Sequence, residues 1–187
     1  MSSRDTRSNS GAKRTLAIYN TVPNLVWSVL NLTPISVYCY TTLEPRWFFV
    51  FSAVSLVPMF LRNSFLDRLQ IGTTPGVYKR LGVHWVNKVA QSGDIINGFV
   101  RRSHPEYKAV SKSRSSIAGL IKQTYVFEKF HLILFLFFLF TTVHALAQGH
   151  WGWGLFITLS NIAYNVYPNL LQQYIRVKLM AFRGKNT

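Results

Sequence analysis

Two ionisable residues stand three apart in Glu128-Lys129-Phe130-His131, at the head of a long apolar run, in a chain with only six acidic residues. On a helix this spacing puts Glu128 and His131 on one face. A carboxylate beside an imidazole holds the ring in one tautomer and raises its basicity, which is what a general base needs to deprotonate a hydroxyl. A plainer account fits as well: Glu128 pairs with Lys129 or an arginine at a membrane surface, and His131 lies at the interface. His144, deeper along the same run, and His150, just beyond it, are assigned to packing or interface.

Amides form the second set. Asn161, Asn165 and Asn169 recur every fourth residue, and Gln172 and Gln173 continue the series one turn later. That spacing predicts one polar stripe on a helix. Near the start of the chain Asn20 and Asn24 are one turn apart, with Asn31 beyond them. The two regions share a pattern: Tyr19-Asn20-Thr21-Val22-Pro23-Asn24-Leu25 and Tyr164-Asn165-Val166-Tyr167-Pro168-Asn169-Leu170 both read Tyr-Asn-x-x-Pro-Asn-Leu. Amides in an apolar surround must find partners, so the stripes either bond to each other between helices or line a wet cavity. After the stripe come Arg176 and Lys178, which suit a phosphate, a carboxylate or a lipid headgroup, and equally serve as charges that end a membrane span.

Familiar catalytic patterns are missing. There is no Gly-rich phosphate loop, no Gly-x-Ser-x-Gly and no His-Glu-x-x-His. None of the five histidines is followed four residues later by aspartate, as one acyltransferase pattern requires. The lone Cys39 excludes an internal disulfide and a cysteine zinc site, and no metal is expected.

The elements that must position these groups follow from the apolar pattern. Nearly half of the 187 residues are hydrophobic, and they gather in four blocks, 16–40, 47–61, 130–147 and 151–175. Each is near the ~20 residues that cross a bilayer core, the second being the shortest. The expectation is an all-α, polytopic membrane protein of about four transmembrane helices. The +15 net charge is arranged by position: four basic residues precede the first block, twelve lie between the second and third, four follow Ile175, and only Arg46 lies in a short loop. The positive-inside rule then places both termini and the middle segment in the cytoplasm, at the cell (inner) membrane, and argues against nucleic acid as a partner. Residues 1–13 read as a flexible basic tail, 14–180 as one membrane domain with a cytoplasmic segment at 62–129, and 181–187 as a basic C-terminal tail. Asn31-Leu32-Thr33 matches a glycosylation sequon, taken as chance because it lies inside the first block.

The middle segment shows two amphipathic stretches, one on Tyr78, Leu81, Trp85, Val86 and Val89, the other on Tyr107, Val110, Ile117, Leu120, Ile121 and Tyr125. Basic residues alternate with both. Such helices lie in the headgroup layer, either simply holding the protein to anionic lipid or forming a lid over a site in the inner leaflet.

From about residue 77 onward, several features occur in a fixed order. Tyr78-Lys79-Arg80-Leu81-Gly82-Val83 is followed by Trp85 and Lys88, then by Gly93, Gly98-Phe99 and a basic pair before His104. Thr124 and Glu128-Lys129-Phe130-His131 come next, and Asn165, Gln172, Tyr174, Arg176, Lys178 and Leu179 close the series. In this order the chain resembles the glycosyl-diaponeurosporenoate acyltransferase family of bacterial membrane proteins, departing from it at Gln173, Ile175 and Val177, where the family tends to have Arg, Asn and Pro. The resemblance implies transfer of a fatty acyl group to a hydroxyl of a lipid-linked sugar, in carotenoid biosynthesis. It makes Glu128 and His131 the acid/base pair, and Asn165, Gln172, Tyr174 and Arg176 the substrate-binding end.

The leading expectation is a membrane acyltransferase acting on a lipid or glycolipid hydroxyl at the cytoplasmic leaflet. His131 and Glu128 are its catalytic residues. Asn20, Asn24, Asn165, Gln172, Tyr174, Arg176 and Lys178 bind substrate. No cofactor is expected; acyl-CoA or another acyl donor enters as a substrate, and the partners are membrane lipid, that donor and a lipid-linked hydroxyl acceptor. The alternative is a non-enzymatic scaffold or lipid-binding accessory protein whose amides only pack helices, and a small transporter is a third class.

Overall fold

The computed structural model describes residues 3–89, 98–100, 102 and 114–184, with the side chains of residues 3–14, 16, 20, 22–24, 89, 114 and 115 outside that description. The described chain is all-helical: α1 (Ser3–Thr41), α2 (Pro45–Ser55) continued by a 3-10 turn (Val57–Phe60), α3 (Asn63–Arg68), α4 (Pro75–Arg80), α5 (Val83–Val89), α6 (Arg114–Ala147), α7 (Trp151–Asn161), a π-turn (Ile162–Val166) and α8 (Tyr167–Gly184). One helix, within Ser116–Ala147, is long and apolar enough to cross a membrane, and Pro45–Phe60 is a shorter apolar one.

Helix α6 is the axis of the fold, with α2, α7, the π-turn and α8 all packed against it. The amphipathic stretch around Ile117 to Tyr125 is therefore not a separate surface helix; it runs without a break into the apolar block. The α6–α7 corner closes on Gly149, whose φ of 75° is left-handed. His150 N donates to Ala145 O at 2.8 Å and Gly149 N to Leu146 O at 3.0 Å, the pair of bonds that caps a helix with glycine in that conformation. The turned-back helix then lies close: a Cβ on Gly154 would fall 2.4 Å from Leu146 Cδ2.

Two apolar clusters result. Ile35, Tyr38, Leu43, Phe138, Ala145 and Ile157 join α1, α6 and α7 at one end, and Tyr78, Val83, Leu171, Tyr174 and Val177 join α4, α5 and α8 at the other. The second cluster corrects the reading of the first amphipathic stretch. It is two short helices, broken at Gly82 with φ 75°, and its residues Tyr78 and Val83 are buried against α8 while Leu81 and Trp85 stay exposed. A residue with a side chain is strained at that φ, so Gly82 is what allows the break. Of the second stretch, Tyr107 and Val110 lie outside the described residues.

Large apolar side chains lie outside as well as in these clusters, and several polar ones lie inside. Tyr40, Phe60, Trp151, Phe49 and Leu155 are all exposed, whereas Glu128, Arg176, Asn165 and Thr141 are at most 1 % exposed.

Candidate functional site

Two groups of polar residues lie along the contact of α6 with the segment α7–π-turn–α8, one around Arg176 and one around His131. Arg176, on α8, is fully buried. Its Nη1 donates to Glu128 Oε2 in a short ion pair, its Nη2 donates to Gln70 Oε1 at 3.3 Å, and its Nε faces Asp67 Oδ1 at 3.6 Å. The guanidinium carbon lies 4.3 Å from the Tyr125 ring centroid, and the Tyr125 hydroxyl donates to Asp67 Oδ1 at 2.7 Å. Gln173, one turn before Arg176, donates from Nε2 to the other oxygen of Glu128 at 2.8 Å. Its Oε1 accepts from the Ile71 amide and stands 3.2 Å from the Tyr78 hydroxyl, which is 3.0 Å from the Gly72 carbonyl. Burial raises the pKa of Tyr78 above the ordinary phenol value, so this hydroxyl stays protonated and able to donate.

Planar, forked donors suit the job done here. Arg176 bonds a carboxylate and an amide and faces a second carboxylate from one position, which a lysine ammonium would not do with the same geometry. The result ties α8 to α6, to the segment after α3 and, through Gln173, to α4.

The second group starts one turn along α6 from Glu128. The His131 ring lies against the Asn165 side chain and the backbone carbonyl of Tyr164. Pro168 explains why that carbonyl is available: proline has no N–H, so the carbonyl four residues earlier lacks its helical donor, and the chain opens into the π-turn 162–166 at this point. Asn165 Nδ2 donates to Asn161 Oδ1 at 2.9 Å, and Asn161 Nδ2 to the Phe135 carbonyl at 3.1 Å. Three buried atoms of this group have no hydrogen-bond partner: His131 Nδ1, Asn165 Oδ1 and, one turn further, Asn169 Oδ1. Unpaired buried polar atoms are uncommon; here one lies on α6 and two on the segment facing it, and the described residues hold five more elsewhere, Arg176 Nε among them.

The expected pairing of Glu128 with His131 is not formed. Both carboxylate oxygens of Glu128 are taken by Arg176 and Gln173, and among the described residues no ion pair joins Glu128 to His131. Arg176 and Lys178 are likewise not brought together. Two residues apart on a helix, they point to different sides, Arg176 inward and Lys178 outward over the Tyr174 ring at 5.1 Å. Tyr174 is buried in the apolar cluster with its ring 6.1 Å from that of Tyr78, and Gln172 is half-buried outside both hydrogen-bonded groups. Asn165 is the one expected substrate residue that sits beside His131. The side chains of Asn20 and Asn24 lie outside the described residues, but α1 does meet the second copy of the shared pattern, with Trp27 5.6 Å from Tyr164 edge to face.

Sequence reasoning placed Gln173 in the polar stripe but not among the substrate residues, and missed Asp67, Gln70, Tyr78 and Tyr125 as members of a polar group. Asp67 carried a signal, being one of six acids in a strongly basic chain, and Gln173 continues the every-fourth-residue series from Asn161.

Residues 62–185 match the family model described as glycosyl-4,4'-diaponeurosporenoate acyltransferase. The match covers more than half of the chain, reaches back beyond the resemblance read from residue 77, and includes every residue of both polar groups. No curated protein and no solved structure matches the chain.

Proposed function

Because the chain belongs to the glycosyl-4,4'-diaponeurosporenoate acyltransferase family, we propose that it is a membrane acyltransferase that moves a fatty acyl group to a hydroxyl of a lipid or glycolipid acceptor at the cytoplasmic leaflet. The observation that carries this reading is the set of unpaired buried atoms at His131, Asn165 and Asn169. In the tautomer protonated at Nε2, His131 Nδ1 accepts a hydrogen bond from the acceptor hydroxyl. It takes the proton as the hydroxyl oxygen bonds to the acyl carbonyl carbon, and returns it to the donor's leaving thiol as the thioester C–S bond breaks. Asn165 and Asn169 accept hydrogen bonds from neighbouring hydroxyls of the acceptor and so orient it.

In this reading Glu128 is not the partner of the base. With Arg176 and Gln173 it positions α8 against α6, which sets the distance from His131 to the two asparagines. An apolar cavity of about 330 Å³ between α1 and α7, lined by Val29, Leu30, Pro34, Val37, Trp153 and Phe156 among others, suits an acyl chain.

The membrane setting rests on the exposed apolar surface of the fold and on its one span-length apolar helix. Four crossings, at 16–40, 47–61, 130–147 and 151–175, with both termini cytoplasmic, fit the side on which the basic residues fall. The deciding experiment is acyl transfer by the purified chain in lipid nanodiscs, followed by mass spectrometry of the acceptor. His131→Ala protein that folds normally and retains full transfer would end the proposal.

A further inference from the structure

The anion-binding role expected of Arg176 needs another owner, because that guanidinium is buried and occupied by Glu128, Asp67 and Gln70. At the junction of the 3-10 turn with α3, a cavity of about 410 Å³ is lined by Phe60, Leu61, Arg62, Ser64, Phe65 and Arg68. Ser64, Phe65 and Arg68 share one face of the short helix α3, and Arg62 enters it in extended backbone, so two arginines and a serine line one space. Neither arginine is paired: among the described residues no carboxylate lies within 4.0 Å of either, and the adjacent Asp67 is turned to Tyr125 and Arg176. Arg46 shows the contrast, since it too is exposed and closes on Glu44 at 2.6 Å.

The walls of the cavity divide by chemistry. Phe60 is 81 % exposed and Phe65 43 %, so exposed aromatic side chains adjoin the two arginines where the apolar α2 segment gives way to the polar middle segment. Two forked donors with a hydroxyl fit the oxygens of a phosphate ester, and the exposed rings fit the apolar part of the molecule that carries it.

We propose that the Arg62–Ser64–Arg68 cavity binds the phosphate of an amphiphilic phosphoester. Two molecules offer this chemistry: a phosphate-bearing thioester donor, represented by an acyl-CoA, and the headgroup of an anionic phospholipid. The proposal extends the membrane acyltransferase reading by giving the anion its site, but it is a statement about binding and does not require His131 to act as a base.

The test uses the full chain in nanodiscs of a phosphate-free galactolipid, with palmitoyl-CoA and dioleoylphosphatidylglycerol as separate probes and dissociation constants as the readout. For R62Q/R68Q, binding of one probe weakens about tenfold or more while the R46Q control binds as the wild type does. A loss confined to palmitoyl-CoA identifies the donor, and one confined to phosphatidylglycerol identifies the lipid headgroup. Unchanged affinity for both probes overturns the proposal, and so does an equal loss in R46Q, which would mark a nonspecific effect of charge. If R62Q/R68Q does not fold, R62K/R68K keeps both charges without the fork; a loss of several-fold supports the site and none overturns it. Wild-type protein that binds palmitoyl-CoA through Arg62 and Arg68 yet transfers no acyl group would refute the catalytic reading and leave this site standing.

Discussion

The two polar groups of this fold share helix α6 and lie one turn apart, yet they are finished to different degrees. Around Arg176 both oxygens of Glu128 are bonded, one to the guanidinium and one to Gln173, and the half-exposed Asp67 receives Tyr125 and faces Arg176 Nε at 3.6 Å, as an ion pair without a hydrogen bond. Around His131 the hydrogen bonds run from Asn165 to Asn161 to the Phe135 carbonyl and leave three acceptor atoms unpaired. A closed network holds helices in register, because removing any member strands the others in a low-dielectric interior. An open one is tolerated where a ligand completes it. The acid that looked catalytic belongs to the closed group, and the histidine to the open one.

The comparison predicts opposite effects of substitution in the two groups, and the largest is on turnover. His131→Ala lowers the rate of acyl transfer about a thousandfold, the usual scale for a lost general base, with an unchanged thermal midpoint in detergent. An unfolded His131→Ala protein would show that the open group holds the fold as well, and the distinction would fail. Next is Arg176→Met, which strands Glu128 as an unpaired buried charge and destabilises the protein by roughly 3 kcal/mol, read from its thermal or denaturant midpoint. Adding Glu128→Leu recovers most of that loss, since a buried ion pair and a packed apolar pair are often near equal in stability. A double variant no more stable than Arg176→Met would mean that the carboxylate has a second task. Tyr125→Phe has a smaller effect: it loses the hydrogen bond to Asp67 and keeps the ring under Arg176, so stability falls by about 1 kcal/mol and the Michaelis constant for the acceptor stays the same.

The sequence carries the open group more clearly than the closed one. Asn161 and Asn165 are four apart, and their side chains do bond to each other. A strict four-residue repeat drifts around an ordinary helix of 3.6 residues per turn, and the wider π-turn at 162–166 absorbs part of the drift. That keeps Asn161, Asn165 and Gln173 all buried on the inner side, while Gln172 falls off the stripe. The closed group joins positions far apart in the chain, Asp67 and Gln70 to Arg176 and Glu128 to Gln173, and local spacing carries no sign of such pairings. Which of Arg176 and Lys178 turns inward follows only from the face shared with Gln173. The helical class was legible, and so was the one helix long and apolar enough to cross a membrane, because a span needs a long uninterrupted apolar segment. The folding of residues 75–89 onto α8 was not, since the amphipathic pattern is the same whether its apolar face meets lipid or protein.

Pro168 offers the finest test of the contrast, because it follows directly on the π-turn that carries Asn165. Its missing N–H leaves the Tyr164 carbonyl to the His131 ring. In Pro168→Ala the new amide competes for that carbonyl and favours a regular helix through 162–166, which turns the Asn165 side chain relative to His131. Helix propensity rises with the substitution, so the thermal midpoint holds or increases. Acyl transfer falls about fivefold, the scale of one neutral hydrogen bond, and the fall appears in kcat if His131 is misoriented or in the acceptor's KM if Asn165 is. Full activity in a Pro168→Ala protein would detach the π-turn from the chemistry and leave the unpaired atoms at Asn165 and Asn169 as features of helix packing.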